Sequence, residues 1–334
     1  MEKGIRAIVY GVGRVNCIAT RLMIEKGVEI VGAINRPGAK VGKDLGELSG
    51  ISRLGVSVSD DPEHVLATPA DIAVIAIYDD LERMFPIYKQ CLEAGINVIT
   101  VGAHASYPWR LEPALSQELD DIAKTHGVTI SGSGNQDFFI VHLGALMSGV
   151  CHRVDKIVHR SLTDVNNFGS ETAEIAYVDQ SIDSFQTETD NQAPSVYTTF
   201  WDNVAAALEL TVVDVVQTLE PVVTTTPRIC RSLNRTIQPG SLIGIRQRLE
   251  VSTKENVRMT GENGLWVCDS EEEEYKDWEI IGEPSFKIRV TDLETGFTTA
   301  SQYVNRIPHI INAPPGYVTI DQLPKLTYRQ RLVI

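Results

Sequence analysis

Residues 5–34 read IRAIVYGVGRVNCIATRLMIEKGVEIVGAI, and the order of apolar and glycine positions in them decides the fold. IRAIVY (5–10) is a β-rich apolar run that stops at GVGRVN (11–16). CIATRLMIEKG (17–27) then carries apolar residues at helical spacing and closes on Gly27, and VEIVGAI (28–34) is a second strand. Strand, glycine turn, helix and strand make a βαβ unit of the ordinary length. Gly11 permits a tight turn, and Gly13 lets backbone N–H groups approach a pyrophosphate at the helix N-terminus, where the macrodipole favours anions. Asn16 stands where the dinucleotide fingerprint has its third glycine. A GxG by itself also fits a plain strand-to-helix turn; its place in a βαβ unit favours the cofactor reading.

Working outward, DIAVIAI (71–77), NVITV (97–101) and VTISGSG (128–134) read as further strands, separated by helical patterns at 79–94 and 111–126. This alternation predicts a parallel sheet with ligands outside the carboxyl ends of its strands. Beyond about residue 150, long alternating stretches at 154–165, 210–226 and 241–253 predict a largely antiparallel sheet. The expected class is α/β: a dinucleotide-binding Rossmann domain over 1–148, an α+β domain over 149–300, and a segment at 301–334 that packs back on the first domain.

At 334 residues, two cores are expected. The net charge of −14 argues against nucleic acid as a partner, since phosphate binding needs a basic face. No window approaches a membrane span, and MEKGIRAIVYG lacks a secretory h-region, so a cytoplasmic protein is expected. Five scattered cysteines read as reduced thiols. The acidic run DSEEEEYKDW (269–278) reads as a solvated loop or hairpin. His142, His152, His159 and His309 are read as not clustering, and no metal is expected.

The second strand ends in INRPGAK (34–40). A carboxylate for the ribose hydroxyls is missing there, and Asn35 beside Arg36, with Lys40 near, suits a 2′-phosphate. NADP is the expected cofactor, NAD the alternative; a solvated surface Arg36 is the bland reading.

Several stretches carry a resemblance: VEIVGAI (28–34), KVGKDLGELSG (40–50), NVIT (97–100) with SYPW (106–109), GVTISGSG (127–134) and NRIPHIINAPPG (305–316). On these the chain resembles the 2,4-diaminopentanoate dehydrogenase family, which includes the native amine dehydrogenases and shares its N-terminal domain type with dihydrodipicolinate reductases. The resemblance implies a homodimer whose α+β domain shapes the substrate pocket. It also implies NAD(P)H-dependent reductive amination of a small ketone or aldehyde, reversible as oxidative deamination. Family members keep a Glu assigned to proton transfer in the loop before Tyr-Pro-Trp; here the loop is GAHASYPW (102–109), with His104 in that place.

His104 is the candidate catalytic residue, suited to donating a proton to a carbonyl or imine. Reduction of a carbonyl or preformed imine without free ammonia is therefore an alternative. A non-catalytic NADP-binding sensor is the alternative of another class. Candidate cofactor contacts are Gly11, Gly13, Arg14, Val15, Asn35, Arg36, Ile77, Gly102 and Asn312. Candidate pocket residues are Tyr107, Asp137, Phe138, Phe139, Thr163, Phe168 and Tyr177. Asp137 reads equally as an orienter of His104, a site for a substrate cation or a helix N-cap, and the two Phe as pocket or core.

Overall fold

The computed structural model describes residues 3–189 and 197–334. The chain divides into two units, Met1–His142 with Phe297–Ile334, and Leu143–Gly296.

In the first unit the apolar runs lack alternation because both faces of their sheet are covered. β1 (Arg6–Tyr10), α1 (Arg14–Glu25) and β2 (Glu29–Ile34) form the opening βαβ unit. Then come α2 (Leu45–Leu48), β3 (Val58–Ser59), α3 (Pro62–Leu66), β4 (Ile72–Ile75), α4 (Leu81–Glu93), β5 (Asn97–Thr100), α5 (Pro113–His126) and β6 (Thr129–Gly132). The pairings between these strands are parallel, including that of a late short strand, Gly316–Tyr317, with β6. From that late strand the order is β6-β5-β4-β1-β2-β3, so the connection reverses between β4 and β1. Ligands bind at such a reversal, outside the carboxyl ends of the strands.

Helix ends follow local chemistry. Asp80 Oδ1 accepts the Arg83 N–H at the start of α4, Pro113 opens α5, and Gly127 at φ 68° closes it. On one face of the sheet Leu81, Met84, Tyr88 and Leu92 of α4 pack with Leu119 and Ala123 of α5, all buried. Each large side chain there contributes ~1.5–3 kcal/mol.

The second unit contains α6 (Leu143–Ser148), β7 (Arg153–Asp164), α7 (Ser170–Ile175), α8 (Ile182–Thr189) and α9 (Thr198–Ala207). They are followed by β8 (Val212–Val223), β9 (Arg228–Cys230), β10 (Arg235–Ile237), β11 (Leu242–Thr253), β12 (Arg258–Trp266), β13 (Tyr275–Glu283) and β14 (Phe286–Val290). Its six-stranded sheet has the order β14-β13-β7-β12-β11-β8, antiparallel except for β7 with β12. The alternating stretches of sequence are these strands. On one face the Trp201 indole of α9 lies against Gly261 and packs with His159 and Trp278. The opposite face carries ion pairs such as Arg248 with Glu220 and Arg289 with Asp277. Two different faces give period 2.

α10 (Thr295–Ile311) brings the chain back to the first unit. Ala300, Tyr303, Val304 and Ile307 are buried there with Ile18 and Ala19 of α1, and β15 (Gly316–Tyr317) closes the parallel sheet. Among the described residues no helix is long and apolar enough to cross a membrane.

The acidic run is solvated at Asp269, Glu271 and Glu273, as its charge suggests, and departs from that reading at Glu272 and Glu274. Glu274 is buried and accepts from Asp164 N, Asn167 Nδ2, Thr295 N and Thr295 Oγ1. Glu272 pairs with Arg228 at 2.6 Å and takes the Trp266 indole N–H at 3.0 Å. Backbone donors left over at loop and helix ends are met by these carboxylates, a use that charge density alone does not reveal.

Candidate active site

Two glycines open the site for different reasons. Gly11 has φ +88°, and a methyl there would lie 2.5 Å from the Ala76 carbonyl oxygen and 2.6 Å from Ile77 Cγ1. The protein itself demands glycine at this position. Gly13 precedes α1 without a side-chain cap, and a methyl on it would meet no atom within 4 Å. The open space lies at the helix N-terminus, beside Arg14 and Val15 of the first turn, where orphan N–H groups and the dipole suit a pyrophosphate.

Asn16 has a role of its own. Fully buried, its Nδ2 donates to Tyr10 O, Gly11 O and Val74 O at 3.1, 2.9 and 3.1 Å, tying the turn to β1 and β4. A third glycine could not make these bonds.

The end of β2 folds onto the same turn. Asn35 Oδ1 accepts the Val12 N–H at 3.0 Å, and Lys40 Nζ donates to the Val12 carbonyl. Lys40 thus stands at the glycine turn, and Arg36, exposed, follows Asn35 at the end of β2. These residues fit a dinucleotide: backbone donors for the pyrophosphate, and positive charge with no carboxylate at the end of β2.

At the carboxyl end of β5, Gly102 starts a 3₁₀ turn over Ala103–Ser106. A methyl on Gly102 would lie 2.9 Å from the Tyr78 carbonyl oxygen. His104 is half-buried, and its Nδ1 accepts the N–H of Leu81, the first residue of α4, at 3.2 Å. This bond fixes the neutral tautomer with its proton on Nε2, so the ring presents an N–H donor. Asp79 holds the turn: its Oδ1 accepts the Ala103 N–H at 3.0 Å and its carbonyl accepts the His104 N–H at 3.2 Å. Asp79 was missed in the sequence. The signal available was IYDD (77–80), acidic residues just past the end of the fourth strand.

Asp137 turns out to have other partners than His104. It opens a π-helical turn, Asp137–His142, and is fully buried. Both its oxygens accept from the buried Arg306 guanidinium, and Ser133 Oγ donates to Oδ2 at 2.8 Å. Neither a link to His104 nor a free place for a substrate cation is left. Arg306 also reaches His142 Nε2 at 2.9 Å and His309 Nδ1 at 3.1 Å, so these two histidines meet after all. They meet around a guanidinium, and among the described residues no group of His, Cys, Asp and Glu is arranged to hold a metal ion.

Asn312 is corrected as well. It is exposed and bonds the Pro308 carbonyl at 2.7 Å, ending α10. The carbonyls of the next residues, Ala313 and Pro314, accept from Thr129, the first residue of β6. Asn312 therefore sits toward the amino ends of the strands, and the glycine turn lies at their carboxyl ends.

Tyr107 ends the 3₁₀ turn and is half-buried, while Trp109 packs edge-on against Tyr317 at 5.6 Å. Phe138 and Phe139 are half-buried and stack edge-to-face at 5.5 Å, and the Phe138 N–H is held by Gln302 Oε1. In the second unit Thr163 Oγ1 accepts from the buried Lys276 at 2.9 Å; burial lowers the Lys276 pKa to about 8. Phe168 is half-buried. Tyr177 is part of the core instead, packed on Phe185 at 5.1 Å at φ 56°.

Known proteins share the family and the fold of this chain. A model of the 2,4-diaminopentanoate dehydrogenase C-terminal domain matches residues 137–329. The chain belongs to the 2,4-diaminopentanoate dehydrogenase family. A model of the dihydrodipicolinate reductase N-terminus matches residues 5–107. The family's 2,4-diaminopentanoate dehydrogenase from Acetoanaerobium sticklandii is 26% identical over 343 residues, covering 97% of this chain and 94% of that protein. A 4-hydroxy-tetrahydrodipicolinate reductase of Alkalilimnicola ehrlichii is 46% identical over 74 residues, which are 20% of this chain and 26% of its own length. The solved structure of an amine dehydrogenase from Mycobacterium smegmatis is 37% identical, covers 99% of both chains and has a TM-score of 0.96. A Synechocystis biliverdin reductase, at 13% identity and a TM-score of 0.56, shares the fold alone. Membership of this dehydrogenase family makes the chain an NAD(P)-dependent oxidoreductase.

Proposed function

We propose that the enzyme reduces a C=N centre, making an amine from a small ketone or aldehyde and ammonia, and running in reverse as an oxidative deaminase. The observation that carries this reading is the N–H donor of His104, fixed by Leu81 N beside the carboxyl ends of β4 and β5 in a chain matched end to end by an amine dehydrogenase and a 2,4-diaminopentanoate dehydrogenase. A bound reduced nicotinamide supplies the hydride in such chemistry. Every other task falls to the chain's own residues. The backbone N–H groups from Gly13 to Val15 hold the pyrophosphate, and Arg36 with Lys40 pairs with a 2′-phosphate, which favours NADP over NAD. His104 Nε2–H binds the carbonyl oxygen and draws electron density from the reacting carbon.

The same donor serves plain carbonyl reduction, and the 103–106 turn holds no carboxylate for ammonia. NADPH consumption with a panel of small ketones and aldehydes, at pH 7 and pH 9, separates the readings. Oxidation that requires ammonium is the expected result. Oxidation indifferent to ammonium would make the enzyme a carbonyl reductase, and none with any substrate would leave a cofactor-binding protein without catalysis. A homodimer is part of this proposal, supported by the open, charge-alternating face of the second sheet.

A further inference from the structure

Amination needs a proton acceptor, and His104 with its Nε2–H is arranged as a donor. We propose that Asp79 is the carboxylate that moves protons between ammonium, the carbinolamine and water; this rests on the C=N reading above. Asp79 lies just past β4, and its main chain and side chain both bind the turn that follows β5, so its carboxyl group is fixed next to His104. Among the described residues Oδ1 is engaged by the Ala103 N–H. Among the described residues Oδ2 has no hydrogen-bond donor, and the residue keeps partial exposure.

The groups facing it are His104, Asp80 and the buried Tyr88. The Arg83 guanidinium lies instead over the Tyr78 ring at 3.6 Å. Burial raises the Asp79 pKa above the ordinary carboxylate range against the opposing pull of the Ala103 N–H and His104, and Asp80 adds to the rise. A carboxylate so placed is a stronger proton acceptor near neutral pH than an exposed one.

The steps balance. Ionised Asp79 takes a proton from ammonium: the N–H bond breaks, its pair stays on nitrogen, and an O–H bond forms on the carboxyl group. The freed ammonia adds to the carbonyl carbon held by His104, and one of its protons passes to the carbonyl oxygen to give the carbinolamine. Protonated Asp79 then gives its proton to the leaving hydroxyl. The C–O bond breaks with its pair going to oxygen, water departs, the nitrogen pair closes the C=N bond, and Asp79 is ionised again. In the family these proton transfers are assigned to a Glu of the loop where His104 stands; here the carboxylate comes from the neighbouring strand.

Asp79→Asn is the test, because an amide oxygen still accepts the Ala103 N–H while the charge is removed. Turnover is measured with ketone plus ammonium and with a preformed cyclic imine, which needs neither ammonia nor loss of water. NADPH binding is followed by fluorescence, and folding by Tm. The expected result is a fall of ~10² or more in the ratio of amination to imine reduction, with NADPH binding unchanged and the acid limb of kcat/KM for ammonium gone. Asp79→Glu, which restores a carboxylate, is expected to recover amination above the Asn variant. An equal fall in both reactions would reduce Asp79 to a strut for the His104 turn and overturn the proposal, as would amination at the wild-type rate in Asp79→Asn. Wild-type enzyme indifferent to ammonium would overturn the C=N reading and this proposal together; a wild type that needs ammonium, matched by the Asn variant, overturns this proposal alone.

Discussion

Gly11 and Gly13 stand two residues apart in one turn and answer to different neighbours. Gly11→Ala drives a methyl into the Ala76 carbonyl at positive φ, so a loss of at least ~1 kcal/mol is expected in thermal unfolding. Gly13→Ala meets no protein atom, and the expected outcome is an unchanged Tm with weakened NADPH binding in a fluorescence titration. His104→Ala is expected to lower turnover by ~10²–10⁴ while leaving NADPH affinity nearly intact, which single-turnover and binding measurements check. Arg36→Ala is expected to move the NADPH/NADH ratio of kcat/KM toward NADH; an unchanged ratio removes Arg36 from the 2′-phosphate site.

The π-helical turn Asp137–His142 is held to α10 by one buried guanidinium, and this pairing governs how both elements respond to pH. Replacing Arg306 by Met leaves the Asp137 carboxylate buried and unpaired, at a cost of about 3–5 kcal/mol expected in denaturant unfolding. Burial, with Arg306 and Arg329 nearby, lowers the His309 pKa to about 4, and burial lowers that of His142 as well. The unfolded chain binds these protons near pH 6.5 and the folded one only at lower pH. Stability is therefore full above pH 6.5 and is lost as pH falls through the window down to about 4. His159, neutral until about pH 3 because it is buried between indoles, extends the loss in the same direction. A Tm series from pH 7 to pH 4 checks the sign, and Arg306→Met is expected to change its slope.

For the whole molecule, sedimentation is expected to show a dimer of the 36.8 kDa chain. Charge reversal at Arg248, which pairs with Glu220 at 2.6 Å on the open sheet face, is expected to shift it toward monomer. The fold class was legible because its signals are local. The period of apolar residues, the Gly11 turn and the Gly27 stop each depend on a few neighbouring residues, and backbone sterics leave little choice once they are set. The late return of α10 was expected, but the seven-stranded order and the parallel pairing of β7 with β12 were not legible, since strand order depends on which faces find cover.

The site divides the same way. The places of His104, in the turn after a strand, and of Asn35 and Arg36, at the end of another, were legible. The carboxylates were not. Asp79 meets Ala103 across 24 residues and Asp137 meets Arg306 across 169, so whether an acid is a proton carrier, an ion-pair partner or a solvated charge was decided by packing at a distance. Asn312 reads like a motif residue until β15 pairs with β6 and fixes it toward the amino ends of the strands. Sequence by itself set the backbone class and the glycine turn, because those rest on local conformational energy. Tertiary structure chose the partner of each buried charge, because desolvation makes an unpaired charge costlier than any local preference can offset.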